Sequence, residues 1–182
     1  MDSLAGQLLI AAPSLLDPNF HRTVVLVTAH DDNGAMGIVL NRPAEATVGE
    51  ALPELTPLVD DDAAPVHVGG PVEPSAVMAL AEFEEPEEAA AIVFANVGFV
   101  PAESDSSLAA ATTRRVRVFA GYAGWGAGQL EAELDDEAWF TAKPVSDDVF
   151  TSASWELWSD VLRRMGGQYR LVATMPPDPS LN

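Results

Sequence analysis

The stretch VFAGYAGWGAGQLEAEL, residues Val118 to Leu134, runs from an apolar segment through Gly121, Gly124, Gly126 and Gly128 into an acidic, helix-favouring segment. A strand, a glycine-rich turn and a helix N-terminus together suit phosphate binding, and would make the chain a nucleotide-binding protein. The spacing rejects that reading. Counted from Gly124, the sixth place of G-x-G-x-x-G is Gln129, and counted from Gly126 it is Glu131. No lysine follows these glycines, so the P-loop pattern fails as well. Glu131 and Glu133 fall in the first turns of the expected helix, where an incoming phosphate would meet like charge. The stretch is therefore expected to be a sharp corner, with Gly121 and Gly124 permitting close backbone approach and Trp125 packing across it.

Working outward, GQLLIAAP reads as a buried opening strand, followed by LLDPNF, where Asp17 caps a short turn that starts at Pro18. TVVLVTAHDDNGAMGIVLN is two apolar runs around Asn33-Gly34, a β-hairpin signal because both residues tolerate positive φ. Thr47 and Glu50 form a capping box for a short helix, which Pro53, the Pro57 region and the acidic run Asp60 to Asp62 close into a loop. VHVGGPV is a strand stopping at Gly69 and Gly70, and AVMALAEF and AIVFANV are further strands across a solvated EEPEE turn. ESDSSLAAAT reads as a short helix, VRVFAGY as a strand, QLEAELDD as a helix and AWFTAKP as a short strand. The strongest helix is SASWELWSDVLRRMGG. Its core stripe is Trp155, Trp158, Val161, Leu162 and Met165, with Ser152 or Ser154 as cap and Gly166 as stop. The whole chain, 1–182, reads as a single domain with its core at about 7–175 and an irregular proline-rich tail at 176–182.

The 182 residues are 48% hydrophobic with a mean hydropathy of +0.10, enough for a substantial core. The formal charge is −19, from 28 acidic and 9 basic residues, which disfavours direct nucleic-acid binding. The densest basic run, Arg114, Arg115 and Arg117, reads as a strand edge guarded by charge. With no cysteine, disulfides, thiolate zinc sites and cysteine nucleophiles drop out together. An acid at position 2 and Pro13 within the first apolar stretch are unlike a signal peptide, and no stretch reaches membrane-spanning length. The expectation is a cytoplasmic protein with no membrane association, no metal and no cofactor.

His21, His30 and His67 show no metal-ligand spacing, G-x-S-x-G is absent, and DDNGAMG lacks the later glutamate of a calcium loop. Two polar segments stand out instead. DPNFHRT sets Asp17 and Arg22 around Phe20, and LNRP ends a strand with Asn41 and Arg42. Charged groups at the ends of buried strands either pair with each other, as Asp17–Arg22 or Asp17–Arg42, or line a cleft. The candidate pocket joins Asp17, Phe20, Arg22, Asn41 and Arg42 with Gly69, Gly70 and the Trp125 corner.

DPNFHRTVVLVTAHDDNGAMGIVLNRP, VHVGGPV, GYAGWGAGQLEAELDDEAWFTAKP and SWELWSDVLRRMG resemble, in order, the blocks of the YqgE/AlgH family of bacterial proteins, from about Gln7 to Gly166. Residues 84–113 match least. The resemblance implies an α+β fold, a single compact domain with a strongly bent, partly open-barrel mixed β-sheet and flanking helices. Family positions map onto Asp17, Phe20, Arg22, Asn41, Arg42, Pro43, Gly69, Gly70, Pro71, Gly121, Tyr122, Trp125, Gln129, Leu130 and Glu131. No enzymatic activity comes with the family, and the transcriptional-regulator label of some members does not require DNA contact. The expected function is non-catalytic and regulatory, through a protein partner or small ligand. The alternatives are an enzyme on a small polar metabolite at the candidate pocket, and a direct transcriptional regulator, which the charge disfavours.

Overall fold

The structure is a computed structural model, and it describes residues 3–177. In chain order its first strands are β1 (Leu8–Ala11), β2 (Val24–Asp31), β3 (Gly34–Val39) and β4 (Pro43–Thr47), followed by helix α1 (Val48–Ala51). Next come β5 (Pro65–Val68), β6 (Val72–Phe83), β7 (Ala91–Phe94), β8 (Val97–Phe99) and helix α2 (Ser106–Ala111). The long strand β9 (Thr113–Gly126), helix α3 (Gln129–Asp135), β10 (Trp139–Ala142) and helices α4 (Ser146–Phe150), α5 (Leu157–Met165) and α6 (Tyr169–Val172) complete the domain. The main path of the sheet is β10-β1-β2-β3-β9-β6-β8-β7, with β4 and β5 attached beside β9. Every pairing is antiparallel except β5 with β9. The sheet bends until the Val93 carbonyl of β7 lies against Gly6, ahead of β1, yet β7 pairs only with β8 and β10 only with β1. It remains an open, barrel-like mixed sheet, as the resemblance implied.

Alternation in β1 and β2 divides the interior. Leu8, Ile10, Val24 and Leu26 join Phe119, Trp158, Val161 and Leu162 in the main core beneath α5. Leu9, Val25 and Val27 face the other way, toward Trp125, Leu130 and Trp139. A third cluster, centred on Val48, Val66, Ala79 and Val118, lies under α1 and the 3₁₀ turn Pro53–Leu58.

The Thr47–Glu50 capping box forms, with the Glu50 N–H donating to Thr47 Oγ1 at 3.3 Å. The hairpin forms too, but its tip is Asp32-Asn33, one residue early. Asp31 pairs with Gly34, and the Asp31 side chain accepts the Asn33 N–H. A local side-chain bond has outcompeted the Asn-Gly turn preference.

Other expectations need correction. The glycine-rich corner is strand: β9 continues through Gly121 and Gly124 to Gly126, and the chain turns only at 127–128. Gly121, with φ +74°, provides close backbone approach to Gly70, whereas a side chain at Gly124 would meet only ordinary contacts with Val72 and Tyr122. AIVFANV is two strands, broken at Ala95 in left-handed conformation, with the Asn96 side chain donating to the Phe83 carbonyl. The segment expected as a loop after α1 contains the 3₁₀ turn. Arg114, Arg115 and Arg117 lie on the first part of β9, which among the described residues pairs with β6 on one side only, because β5 and β3 join β9 farther along, at Phe119–Ala120 and Ala123–Gly126. Helix α5 starts at Leu157, leaving Trp155 75% exposed and Leu157 in the core, and neither Ser152 nor Ser154 caps it. Helices α4 and α6 carry no periodic signal long enough to read. Most of the expected irregular tail lies outside the described residues. Among the described residues, no helix is long and apolar enough to cross a membrane.

Candidate functional site

The polar segments do meet, and most of their hydrogen bonds end on backbone groups. Asp17 accepts the Asn19 N–H at 2.8 Å and its carbonyl accepts the N–H groups of Phe20 and His21, which tightens the turn after Pro18. That turn inserts Phe20 between Trp125 and Trp139, with ring centroids 6.1 and 5.6 Å away. Asn41 crosslinks the same turn to the sheet: its Oδ1 accepts the Val24 N–H and its Nδ2 donates to the Arg22 carbonyl, both at 2.9 Å. Arg22, in left-handed conformation, lays its guanidinium 3.9 Å over the Trp158 ring and donates to the Met175 carbonyl at 2.8 Å. Burial lowers its pKa from the ordinary arginine value. Arg42 donates to the His21 carbonyl at 2.7 Å and the Pro18 carbonyl at 3.3 Å. Neither Asp17–Arg22 nor Asp17–Arg42 is among the ion pairs of the described residues.

Gly69 and Gly70 complete this corner. A Cβ on Gly69 would strike the Gly121 carbonyl, and one on Gly70, at φ +154°, would strike the Tyr122 backbone. Of the eight candidate residues, Arg42 and Gly70 line a small cleft of about 270 Å³, together with Pro18, Asn19, Pro43 and Pro71. Asp17, Phe20, Arg22, Asn41, Gly69 and Trp125 do not line it. Trp125 is buried on the far side, where its indole N–H donates to Glu133. The Trp139 indole donates to the same Glu133 oxygen at 2.8 Å, and Gln129 holds the other oxygen at 2.9 Å.

Glu131 is engaged as well. His30 Nδ1 accepts the Leu4 N–H, so its proton sits on Nε2 and is donated to Glu131 at 3.0 Å. The Glu131 carboxyl is held below its ordinary pKa, first by its own backbone N–H and then by His30.

A second polar group gave no sequence signal. His67, on β5, donates from Nδ1 to the Pro65 carbonyl and accepts the Ser154 hydroxyl at Nε2, both at 3.2 Å. That places a hydroxyl on a neutral imidazole, the contact by which a serine nucleophile is activated. His67 and Ser154 are nevertheless only 2% and 3% exposed, and neither lines a cavity described here. Burial, and then the charge of Arg117, push the His67 pKa down to about 4. Arg117 donates to the Thr151 carbonyl while its other terminal nitrogen is buried without a partner, and burial lowers its pKa to about 10. The other basic residues of that run face acids: Arg114 meets Glu84 at 3.5 Å, and Arg115 meets Glu82 at 2.8 Å and Asp147 at 2.6 Å. Hydrogen bonding within the Arg115–Glu82 pair lowers the Glu82 pKa and raises that of Arg115.

The larger of the two concavities lies elsewhere. A recess of about 710 Å³ opens between the 3₁₀ turn Pro53–Leu58, the start of α2 and strands β6 and β8. Leu52, Leu55, Val77, Met78, Phe99 and Val100 are among its apolar walls, and Met36 reaches it from β3. The Ser106 hydroxyl donates to the Glu54 carbonyl at 3.0 Å and ties α2 to the turn that forms one wall. No alternation or motif marks these residues, because they come from turns and strand ends brought together only by the fold.

Fold and recess together define the class: a small α+β protein on a bent, open mixed sheet, with a large apolar recess at one side. The chain belongs to the AlgH-like family (DUF179), whose profile matches residues 8–170. A UPF0301 protein of Thermobifida fusca is 44% identical over 191 residues, covering 99% of this chain and 96% of the relative. The UPF0301 protein SCO2948 of Streptomyces coelicolor is 42% identical over 188 residues, covering 100% and 97%. Among solved structures, protein DIP2367 from Corynebacterium diphtheriae superposes with a TM-score of 0.86 at 27% identity, covering 93% of this chain and 91% of that one. The solution structure of the AlgH protein from Pseudomonas aeruginosa matches with a TM-score of 0.71 at 30% identity, covering 96% and 95%.

Proposed function

We propose that this AlgH-like protein is a non-catalytic, cytoplasmic binding protein with a regulatory role, and that the apolar recess is where it binds its partner or ligand. The observation that carries this reading is the recess itself. At about 710 Å³ it lies in the size range of ligand sites, and its walls are mostly apolar with a few polar residues among them, Glu54, Ser104 and Ser106. Two further observations support it. The residues most reminiscent of a polar active site hold turns and strands together, and the basic cluster is occupied by acids and a backbone carbonyl, which leaves little cationic surface for a nucleic acid.

The test is the fluorescence of N-phenyl-1-naphthylamine, a neutral apolar probe, titrated with the protein and with Val77→Glu. Val77 is 39% exposed on the recess wall, so the variant folds while placing a charge in the recess. Saturable binding that weakens at least about tenfold in the variant, a loss of about 1.4 kcal/mol, supports the reading. Equal binding by both proteins, or none by either, overturns it.

A further inference from the structure

We propose that the apolar recess is a strand-addition site, occupied by an extended segment of another protein with apolar residues at its centre and lysine or arginine at its flanks. This rests on the reading of the recess as the binding site and names what fills it. The starting observation is how β6 ends its pairing. Strand β9 covers one edge of β6, with Val77 opposite Ala120 and Ala81 opposite Val116. On the other edge β8 pairs only with Leu80, Ala81 and Glu82. The last bond there runs from the Val100 N–H to the Ala79 carbonyl, at 2.9 Å.

Pro101 then ends the pairing. It has no N–H to donate, and its carbonyl is taken by the Ser104 hydroxyl at 2.6 Å and the Ser104 N–H at 3.1 Å, which turns the chain off toward α2. Backbone groups two residues apart in a strand face the same edge. The N–H and C=O of Val77 therefore point the same way as the Ala79 carbonyl, toward an edge where Val77 has no strand partner among the described residues.

The recess lies along this open edge and reaches both faces of the sheet. Met78, Met36 and Phe99 pack against the main core on one face, while Ala79, Leu52 and Val100 belong to the cluster under α1 on the other. A strand, whose side chains alternate between faces while its backbone pairs with the edge, matches a recess whose walls come from both faces.

Charge indicates the flanks. Glu54 lines the recess, the exposed Glu103 and Asp105 follow its walls in the chain, and no lysine or arginine is among the lining residues. With a net charge of −19 behind them, these acids attract a cationic segment and repel an acidic one. Glu73, in left-handed conformation, and Pro74 distort β6 further upstream, so pairing is confined to the Ser75–Ala79 end. That restraint also discourages two copies of the chain from joining edge to edge.

The experiment uses the full chain and a pool of capped octapeptides with two lysines at each end and Val, Ile, Leu or Phe at the four central places. Two control pools carry N-methyl groups on alternate central amides, or glutamates in place of the lysines. Binding is read by displacement of N-phenyl-1-naphthylamine and by hydrogen exchange at the Val77 and Ala79 amides. The expected result is displacement by the lysine pool, slowed exchange at both amides, and at least about tenfold weaker displacement by each control pool. If the probe binds but the lysine pool neither displaces it nor slows exchange, strand addition is wrong and the recess still binds apolar ligands. Equal displacement by the N-methylated pool likewise overturns strand addition, and equal displacement by the glutamate pool overturns the cationic flank. If the probe itself does not bind, the underlying reading fails first.

Discussion

The corner built by Asp17, Asn41 and Arg42 with Gly69 and Gly70 differs from the recess beside β6 in one respect that decides their roles. At the corner, the polar side chains are joined to backbone groups at ordinary hydrogen-bond distances, and the glycines are pressed against β9. At the recess, apolar side chains and a strand edge face open space. Groups already satisfied within the fold stabilise it and have little left for a ligand. Unpaired strand edges and uncovered apolar walls gain by covering, so the recess is where binding is favourable.

The contrast breaks first at Gly70. Gly70→Ala drives a Cβ into the Tyr122 backbone, and we expect at least about 4 kcal/mol of destabilisation or failure to fold, a Tm loss of roughly 8 °C or more. Thermal unfolding followed by circular dichroism checks this. A stable Gly70→Ala protein would mean that the β9 crossing is loose and the corner is free to do something else.

Acid sharpens the same contrast through His67. Its pKa is about 6.5 in the unfolded chain and about 4 in the folded one, so below pH 6.5 the unfolded state binds the proton first. Stability is therefore full above about pH 6.5 and falls by about 3 kcal/mol as pH drops toward 4. His67→Gln removes this slope, as denaturant midpoints at pH 7.5 and 4.5 would show. A slope unchanged in the variant would mean that His67 is not the group responsible.

Glu133→Ala leaves the indoles of Trp125 and Trp139 without their common acceptor, an expected cost of about 3 kcal/mol and a red-shifted tryptophan emission. Glu133→Gln keeps an acceptor and costs less. Arg42→Ala removes two bonds from a half-buried guanidinium and costs about 1 kcal/mol, with probe binding unchanged. If Arg42→Ala instead abolished a thermal shift produced by a small polar metabolite, the enzyme alternative at the 270 Å³ cleft would displace the recess as the site.

Much of the fold was legible because local chemistry and tertiary structure agree. The hairpin, the Thr47 capping box, the β5 stop at Gly69 and the short strand at Trp139 needed only neighbours in sequence. The glycine-rich stretch was misread as a corner because glycine in a strand marks close approach of another backbone, here Gly70, which sequence spacing does not reveal. Trp155 was misread because helical periodicity was extended past the true start at Leu157. Asp17, Arg22, Asn41 and Arg42 were recognised as a cooperating set, but whether their hydrogen bonds end on each other, on backbone or on a ligand depends on a turn geometry that residue types do not encode. The recess was invisible for the same reason. Its walls are unremarkable apolar residues from five separate segments, and its defining feature is that Pro101 turns the chain away from β6.

The most direct test places the binding site by residue. Of the five methionines, Met36 and Met78 line the recess, whereas Met165 packs against the main core away from it and Met175 lies near Arg22. Methyl spectra of methionine-labelled protein, titrated with N-phenyl-1-naphthylamine, should show the Met36 and Met78 signals moving together with one affinity while Met165 and Met175 stay fixed. Movement of Met175 with Met36 and Met78 unchanged would put the site at the corner and contradict the account.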